Sequence, residues 1–505
     1  MTLFRSLALG AMLVAGAACA KAAALWADSV MEAARGVAAY FMRTCPDVGA
    51  DSHVGGKRRN SRIWTRGVFY EGLLNIYREE QRPEWLDYAL SWGEFHRWYS
   101  CTDSQARHAD FQCCGQAYLQ LYMLDTTAVE RMSHIKMRID AMMATDRVDD
   151  WYWVDAIQMA MPIFAMLGTI TGDGAYWERM HDMYMYTRNR QGGDRRGGGS
   201  PLFNEAAGLW YRDYQYDPPY TDLVETDKDC YWGRGNGWVY MALARVMQFT
   251  PAGEPHRADY VADFRRMSRA LLDCQRPDGA WGVSLAAPSN LGAPGSEGPE
   301  MTGTSLFVGG MAYGVRAGLL DSATYMPAIR RGWEAMRRAV HDDTGFVGYM
   351  QGTGSKPEDG GPVTYNSVPD FQDFGIGCWL WGAAEVHALA VSCGDGGTSA
   401  VGGARVSPGS DGAYYDLSGR RVDSPVHGRI YIRGGLHGPL PAHQPTGRLA
   451  SAPPLAPGRR LSLGVFLFNV FHRQFPFTAF FLMIVCIRAN AGIHVYYILY
   501  AIYCA

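Results

Sequence analysis

Apolar residues at helical spacing run through residues 25–392 and constrain the fold of this chain more than any other feature. They recur every three to four positions between turns rich in glycine, proline and aspartate, and almost no stretch alternates with the two-residue period of a strand. The spacing predicts helices over 26–42, 66–80, 111–124, 132–143, 155–171, 176–190, 237–248, 256–274, 304–317, 325–340 and 374–390. A large all-α domain follows, and paired helices in this number suggest a closed ring of helical hairpins.

The charge balance of the chain argues against a nucleic-acid-binding protein. Its 505 residues carry 47 Lys and Arg against 50 Asp and Glu, a net charge of -3, whereas nucleic-acid binding usually needs a strongly basic patch. The 11 cysteines include no Cys-x-x-Cys pair, so a zinc ribbon or a thioredoxin-like motif is unsupported.

The first 24 residues have the pattern of a secretory signal peptide. Arg5 provides a positive start, residues 7–16 are apolar, and small residues follow. Cleavage near Ala18 and Ala20 competes with lipidation of Cys19, but Gly16 stands where a lipidation motif prefers leucine, so we favour simple export. A retained membrane anchor is disfavoured because the apolar run is too short to span a bilayer. We therefore expect a periplasmic, cell-surface or secreted protein of a Gram-negative bacterium, with a lipoprotein as the alternative.

The composition and the hydrophobic pattern of the sequence change after Ser392. Residues 393–411 are rich in Gly, Ser and Ala, which predicts a flexible linker. Residues 412–435 contain short alternating segments that predict a small β-like appendage, and they resemble C-terminal sorting segments of exported Bacteroidetes-type proteins; an appendage with no targeting role is nearly as well supported. Residues 436–505 form a hydrophobic tail, in which a transmembrane helix or, as we favour, a poorly ordered segment foreign to the native protein is expected.

Two aspartates near predicted helix starts are the first candidates for chemistry. Asp155 lies in DDWYWVDAIQMAMP, among aromatic residues, and Asp110 lies in RHADFQCCGQAY. On composition alone each is best explained as a helix cap that accepts backbone N–H bonds. The competing interpretation is a desolvated general acid. The presence of two such aspartates favours it, because most glycoside hydrolases use a pair of carboxyl groups. His108 could tune Asp110, although a histidine near a helix start is more often a plain surface residue or a cap.

The segment CYWGRGNGWVYMALARV, residues 230–246, is the third candidate. Arg234 can bind a carboxylate through two hydrogen bonds, and the faces of Trp232 and Trp238 can stack on sugar rings. The intervening glycines would let the backbone approach a ligand closely, or they would simply form a turn before a buried helix. The density of Trp and Arg favours ligand binding.

These three segments together resemble the unsaturated glucuronyl and rhamnogalacturonyl hydrolases, glycoside hydrolase families 88 and 105, with a closer match to family 105. The segments IWTRGVFYEGLL (63–74), PEMTGTSLFVGGMAYGVRAGLLD (299–321), GYMQGTGSKPEDG (348–360) and DFGIGCWLWGAAEVHALA (373–390) extend the match over residues 26–392. The resemblance implies an all-α six-hairpin α/α toroid, also called an α6/α6 barrel, and hydrolysis without a metal or organic cofactor.

The resemblance also implies a mechanism and residue roles. An aspartic acid protonates C4 of a C4=C5 double bond left by a polysaccharide lyase, water adds at C5, and the resulting hemiketal opens and releases the next sugar. Asp155 matches the acid/base and Asp110 the second carboxylate. The substrate-binding motif is matched by Arg234, Trp232 and Trp238, and Trp64 and Trp153 are further candidates for pocket walls.

One position departs from the family pattern and leaves the substrate open. Some members carry a substrate-contacting His where GLWYRDY of this chain has Arg212, which could bind a carboxylate or hydroxyl in its place. Unsaturated rhamnogalacturonan is the expected substrate, and glucuronyl ends of glycosaminoglycan or ulvan are the alternative. An ordinary inverting glycosidase and a non-catalytic glycan-binding protein are the remaining hypotheses. We expect no nucleic acid and no obligatory protein partner, and a monomer or a dimer.

Overall fold

The computed structural model describes residues 2–193, 199–217, 229–286, 298–367 and 373–394, with short strand segments beyond residue 413, and side chains from residue 23 to 393 within these ranges. The chain divides into two units, Met1–Val406 and Ser407–Ala505.

The first unit is built almost entirely from α-helices, and most of them lie within a few residues of the predicted positions. The described helices are α1 (Thr2–Thr44), α2 (Trp64–Glu79), α3 (Pro83–Phe95), α4 (Ala109–Gln112), α5 (Cys114–Leu124), α6 (Glu130–Met143), α7 (Val154–Thr171), α8 (Ala175–Arg190), α9 (Gly233–Phe249), α10 (Arg257–Asp273), α11 (Met301–Arg316), α12 (Ser322–Arg338) and α13 (Asp373–Gly394). Two antiparallel hairpins, β1 (Ser52–Val54) with β2 (Lys57–Arg59) and β3 (Phe203–Asn204) with β4 (Leu209–Trp210), lie between helices.

Six of these helices form a closed inner ring. Each packs against the next in the order α2, α5, α7, α9, α11 and α13, and α13 packs back on α2. Five outer helices follow their inner partners in the chain (α3, α6, α8, α10 and α12), and α1 completes the outer layer against α13. The predicted six-hairpin α/α toroid is therefore confirmed.

The two layers differ in how much of each helix is buried. Every residue from 154 to 168 of α7 is buried, whereas α12 buries only a stripe that includes Tyr325, Ala328, Ile329 and Trp333. A helix that is apolar on all sides, such as α7, belongs in the core, here the inner ring. A helix with one apolar stripe, such as α12, packs that stripe on the core and exposes its other side to solvent. Of the described helices, α7 and α13 are apolar and long enough to cross a membrane, but 78% and 83% of their apolar windows are buried in the protein.

Glycines set the closest helix contact of the ring. A Cβ atom added to Gly72 of α2 would lie 2.2 Å from the carbonyl oxygen of Gly377 on α13, and one added to Gly377 would lie 2.3 Å from that of Val68. The backbones of α2 and α13 touch here, so neither position has room for a side chain.

The two ends of the chain differ from the expectations in detail. Helix α1 runs unbroken from Thr2, so the signal-like segment 1–24 and the predicted helix 26–42 form one helix. The expected linker overlaps the end of α13 at 393–394, and its remainder, 395–411, lies outside the described residues.

The described residues of the second unit form two three-stranded antiparallel sheets. Strands β5 (Tyr414–Tyr415), β6 (Arg421–Val422) and β7 (Ile432–Arg433) agree with the short strands predicted for 412–435. Strands β8 (Leu463–Phe471), β9 (Thr478–Ala489) and β10 (Gly492–Tyr503) form a second sheet with β9 in the centre. Strands β8, β9 and β10 lie within residues 436–505, the tail for which we expected a poorly ordered segment or a transmembrane helix.

Candidate active site

Asp155 lies in the first turn of α7 and is held by Arg212. Trp153, not Asp155, occupies the N-cap position, so the capping interpretation of Asp155 is wrong. The backbone N–H of Val154 donates to the carbonyl of Arg212 at 2.9 Å, which brings the chain after β4 beside the start of α7. Arg212 Nε then donates to Asp155 Oδ2 at 3.2 Å.

Arg212 is shared between two carboxylates. Its Nη1 donates to Asp213 Oδ2, and Asp213 Oδ1 in turn accepts from the backbone N–H of Gln215 at 2.8 Å. The Arg212 side chain keeps 20% of its surface exposed and makes its hydrogen bonds through Nε and Nη1. Among the described residues, no hydrogen bond engages the second terminal nitrogen, Nη2.

Asp110 lies on the short helix α4, which packs against α7. The cap of α4 is His108, whose Nδ1 accepts from the backbone N–H of Asp110 at 3.3 Å. The capping role expected of His108 is thus confirmed, and the one considered for Asp110 is wrong. The His108 ring also lies 5.0 Å from the ring of Trp153, and burial lowers its pKa.

Both carboxyls are held in surroundings that favour a bound proton. The pKa of Asp110 is raised to about 7, chiefly by burial and in addition by the charge of Asp155, while the charge of Arg212 opposes the rise. Burial also raises the pKa of Asp155, against the opposing charges of Arg212 and Arg234. A pair of neighbouring carboxyls with raised pKa values can hold and transfer a proton near neutral pH.

Arg234 and Trp232 are almost fully buried and hydrogen-bond to Gln351 and Gly352. Arg234 is 1% exposed and donates from Nη1 and Nη2 to the carbonyls of Gln351 and Gly352 at 2.8 and 2.6 Å. Trp232 Nε1 donates to Gln351 Oε1 at 2.9 Å, and its ring lies 4.6 Å from the Arg234 guanidinium. These two bonds use two of the five N–H donors of the guanidinium, and Nε has no hydrogen-bond partner in the described part of the protein, so the substrate-binding role of Arg234 stays a prediction.

The glycines of the same segment serve packing. A Cβ atom at Gly233 would lie 2.6 Å from the carbonyl oxygen of Gly282, and one at Gly237 would lie 2.8 Å from Cδ1 of Leu306. The absence of side chains here allows the first turn of α9 to pack closely against its neighbours. Packing therefore explains these glycines, whereas the sequence analysis also considered the close approach of a ligand.

Trp64 and Trp238 form one aromatic wall with Phe374, whereas the ring of Trp153 packs against His108 and Tyr152. The rings of Trp64 and Trp238 meet edge to face with centroids 6.1 Å apart, and Trp64 also lies 5.1 Å from Phe374. Trp64 is partly exposed, whereas Trp238 is buried and Trp153 is 5% exposed. Trp64 is therefore the one of these three that presents the most ring surface to a sugar. Phe374 links this wall to Arg234, whose guanidinium lies 5.1 Å from its ring.

A buried polar network beneath the site was not predicted. Glu71 of α2 accepts from Gln158 Nε2 of α7 at 2.8 Å and lies 3.6 Å from Arg245 Nε of α9. The same Arg245 nitrogen donates to Gln116 Oε1 of α5 at 3.1 Å. Burial raises the pKa of Glu71 to about 7, although Arg245 opposes this. This network joins four inner helices. The polar residues within these otherwise apolar helices were the sequence signal that could have predicted it.

Comparison with known proteins gives consistent results. Residues 33–390 match the family described as Glycosyl Hydrolase Family 88. An unsaturated 3S-rhamnoglycuronyl hydrolase of Formosa agariphila is 29% identical over 343 residues, which cover 65% of this chain and 84% of that protein. The solved structure of a glycosyl hydrolase family 88 protein from Bacteroides vulgatus is 27% identical, with a TM-score of 0.62 over 72% of this chain and 99% of that one. A family 105 glycoside hydrolase from C. acetobutylicum shares the fold, with a TM-score of 0.54 at 17% identity over 70% of this chain and 99% of that one.

Proposed function

Because the chain belongs to Glycosyl Hydrolase Family 88 and hydrolyses oligosaccharides that carry an unsaturated uronic acid, we propose that it removes this residue from the non-reducing end by hydrating its C4=C5 bond. The observation that carries the proposal is a pair of carboxyls, Asp110 at the start of α4 and Asp155 at the start of α7. The positive charge of Arg212 lowers the pKa of both.

The free enzyme holds its proton on the coupled pair of carboxyls. Arg212 hydrogen-bonds Asp155 and thereby favours its charged form, so Asp110, with the pKa of about 7, carries the proton more readily before substrate binds. The substrate brings a carboxylate, and its natural partner is the free edge of Arg212. Arg212, which already contacts Asp155 and Asp213, is then shared with a third anion, which raises the pKa of Asp155 and makes it the acid.

The reaction then needs one proton and one water. Asp155 gives its proton to C4, the π electrons form the C4–H bond, and positive charge develops at C5 and the ring oxygen. Asp110 orients a water whose oxygen bonds to C5 and whose proton returns to Asp155. The hemiketal loses its C5–O5 bond to become a ketone, and C1 is left as a hemiacetal that releases the next sugar. Trp64 supports the pyranose ring by stacking.

The substrate we propose has a uronyl residue linked to rhamnose. The name of the Formosa agariphila relative joins these two sugars, and the resemblance to family 105 implies the same neighbour. Lyase digests of rhamnogalacturonan and of ulvan both supply such ends, with galacturonyl and glucuronyl residues respectively. Export through the segment 1–24 would deliver the enzyme to the compartment in which an extracellular polysaccharide is cut.

The test uses the full chain and both lyase digests. Hydration removes the ultraviolet absorbance of the conjugated double bond, and in ¹⁸O water it places the label at C5, whereas attack at the anomeric carbon places it at C1. Asp155→Asn should lower kcat by about 10²- to 10⁴-fold. Asp146→Asn, at an exposed position, serves as the matched control and should keep full activity. Label at C1, or an active Asp155→Asn variant, would refute the proposal.

A further inference from the structure

Two histidines and an aspartate converge between the outer helices α8 and α10. His181 lies on α8, His256 at the N-cap of α10 and Asp259 in its first turn. One nitrogen of each imidazole and one carboxylate oxygen lie within 4.8 Å of one another. The imidazole rings are stacked with centroids 3.7 Å apart and an interplanar angle of 10°, so both present their nitrogens to the same region.

Each imidazole already engages a carboxylate. His181 Nε2 lies 2.9 Å from Asp259 Oδ2, and His256 Nε2 lies 2.8 Å from Glu178 Oε2. Pairing with carboxylates orients the rings and fixes their tautomers, as in many metal sites of proteins. Nitrogen and carboxylate donors of this kind suit zinc and its neighbours in the first transition series.

A third carboxylate beside the histidines has no partner in the described part of the protein. Glu254 is 4% exposed, and both of its carboxylate oxygens are buried without a hydrogen bond. Glu254 lies close enough to His256, His181 and Arg257 to interact with them electrostatically. A buried unpaired carboxylate is unfavourable, and a bound cation would remove that cost.

We propose that His181, His256 and Asp259 bind a divalent transition metal of the zinc type, with the charge of Glu254 behind them. The ion would join α8 to α10 and thus clamp two neighbouring outer helices. Tetrahedral coordination with bonds of about 2.0–2.1 Å brings ligand atoms to about 3.3 Å from one another, so the side chains must close by about 1.5 Å at most. Each imidazole would keep its proton on the nitrogen that does not face the metal.

The experiment measures binding of cobalt as a spectroscopic probe. Full-length protein treated with a chelator is titrated with Co²⁺, and we expect one ion per chain with visible d–d absorption that Zn²⁺ abolishes by competition. Zn²⁺ at 100-fold its dissociation constant should raise the unfolding midpoint by about 3 °C. His181→Ala should lose both effects. His387→Ala removes a comparable His–Glu pair, with Glu79 at 3.0 Å, and should keep them.

The outcomes separate this site from the catalytic one. If His181→Ala fails to fold, Asp259→Asn replaces a ligand by an isosteric amide at an exposed position and should weaken Co²⁺ binding at least tenfold. Absence of cobalt absorption in the wild-type protein, or the same absorption in His181→Ala or Asp259→Asn, would overturn the proposal. Hydrolysis of the unsaturated end is measured in parallel and should continue in the chelated protein.

Discussion

Replacing Arg212 with glutamine should move the pH profile of the enzyme towards higher pH. Two unit charges about 4 Å apart interact by about 4 kcal/mol at an effective dielectric constant of about 20, and a pKa unit corresponds to about 1.4 kcal/mol. Arg212 Nε lies 3.2 Å from Asp155 Oδ2, but 20% of its side chain remains in water, which screens the pair. We therefore expect the pKa of Asp155 to rise by about 1 to 3 units in Arg212→Gln.

The sign follows from the role of the acid. Activity requires a protonated carboxyl, so kcat/KM falls as pH rises through the pKa of the pair formed by Asp110 and Asp155. Removing the cation raises both pKa values, and the basic limb should shift upward by a similar amount. Arg212→Gln should also raise KM by about 10-fold or more, because a charge-assisted hydrogen bond to the substrate is lost.

The assay is the loss of ultraviolet absorbance of the unsaturated end, recorded from pH 4 to pH 10 for wild type and variant. Arg337→Gln breaks an exposed pair with Asp342 and serves as the matched control, with an unchanged profile expected. A basic limb that stays in place, or moves to lower pH, would contradict the assignment of Arg212 as the cation that acts on the carboxyl pair.

Three further substitutions test the electrostatics and the packing of the ring. Asp110 has a pKa of about 7 in the folded protein, above its unfolded value, so its ionisation costs stability that grows from about pH 4 to pH 7. In urea titrations Asp110→Asn should therefore raise the free energy of unfolding by about 4 kcal/mol at pH 8 and by almost nothing at pH 4. Glu71→Gln leaves Arg245 buried without a countercharge and should cost about 3–5 kcal/mol in the same measurement, and no loss would show that the network is not ionic. Gly377→Ala places a methyl group against the α2 backbone and should lower the unfolding free energy by about 1–3 kcal/mol, whereas Gly36→Ala, at an open position, should have no such effect.

The sequence predicted the fold well where burial repeats along a helix. Helices such as α7 and α12 lie within three residues of their predicted bounds, because their apolar spacing records which face is buried. Helix α3 was missed although its buried residues Trp85, Ala89 and Trp92 have helical spacing, because a stripe of two turns is short. Helix α9 begins four residues earlier than predicted, because packing outweighs the poor helix propensity of Gly233 and Gly235.

The site was predicted only in part. The carboxyls Asp110 and Asp155 and the cation Arg212 do lie together, yet local sequence favoured helix caps because caps and acids use the same residues near helix starts. The contacts of Arg234 could not be foreseen, since its partners lie more than a hundred positions away at Gln351 and Gly352. Glu71 was missed because a single acid within a helix is more commonly a surface residue.

The pairing of α1 with α13 has a consequence for how the enzyme reaches its native state. The first and last helices of the ring are neighbours, so the ring cannot close until more than 370 residues have left the ribosome. Contacts of such large sequence separation form slowly, and an incomplete ring leaves the apolar faces of α2 and α11 uncovered. A chain released before α13 is synthesised is therefore prone to aggregate.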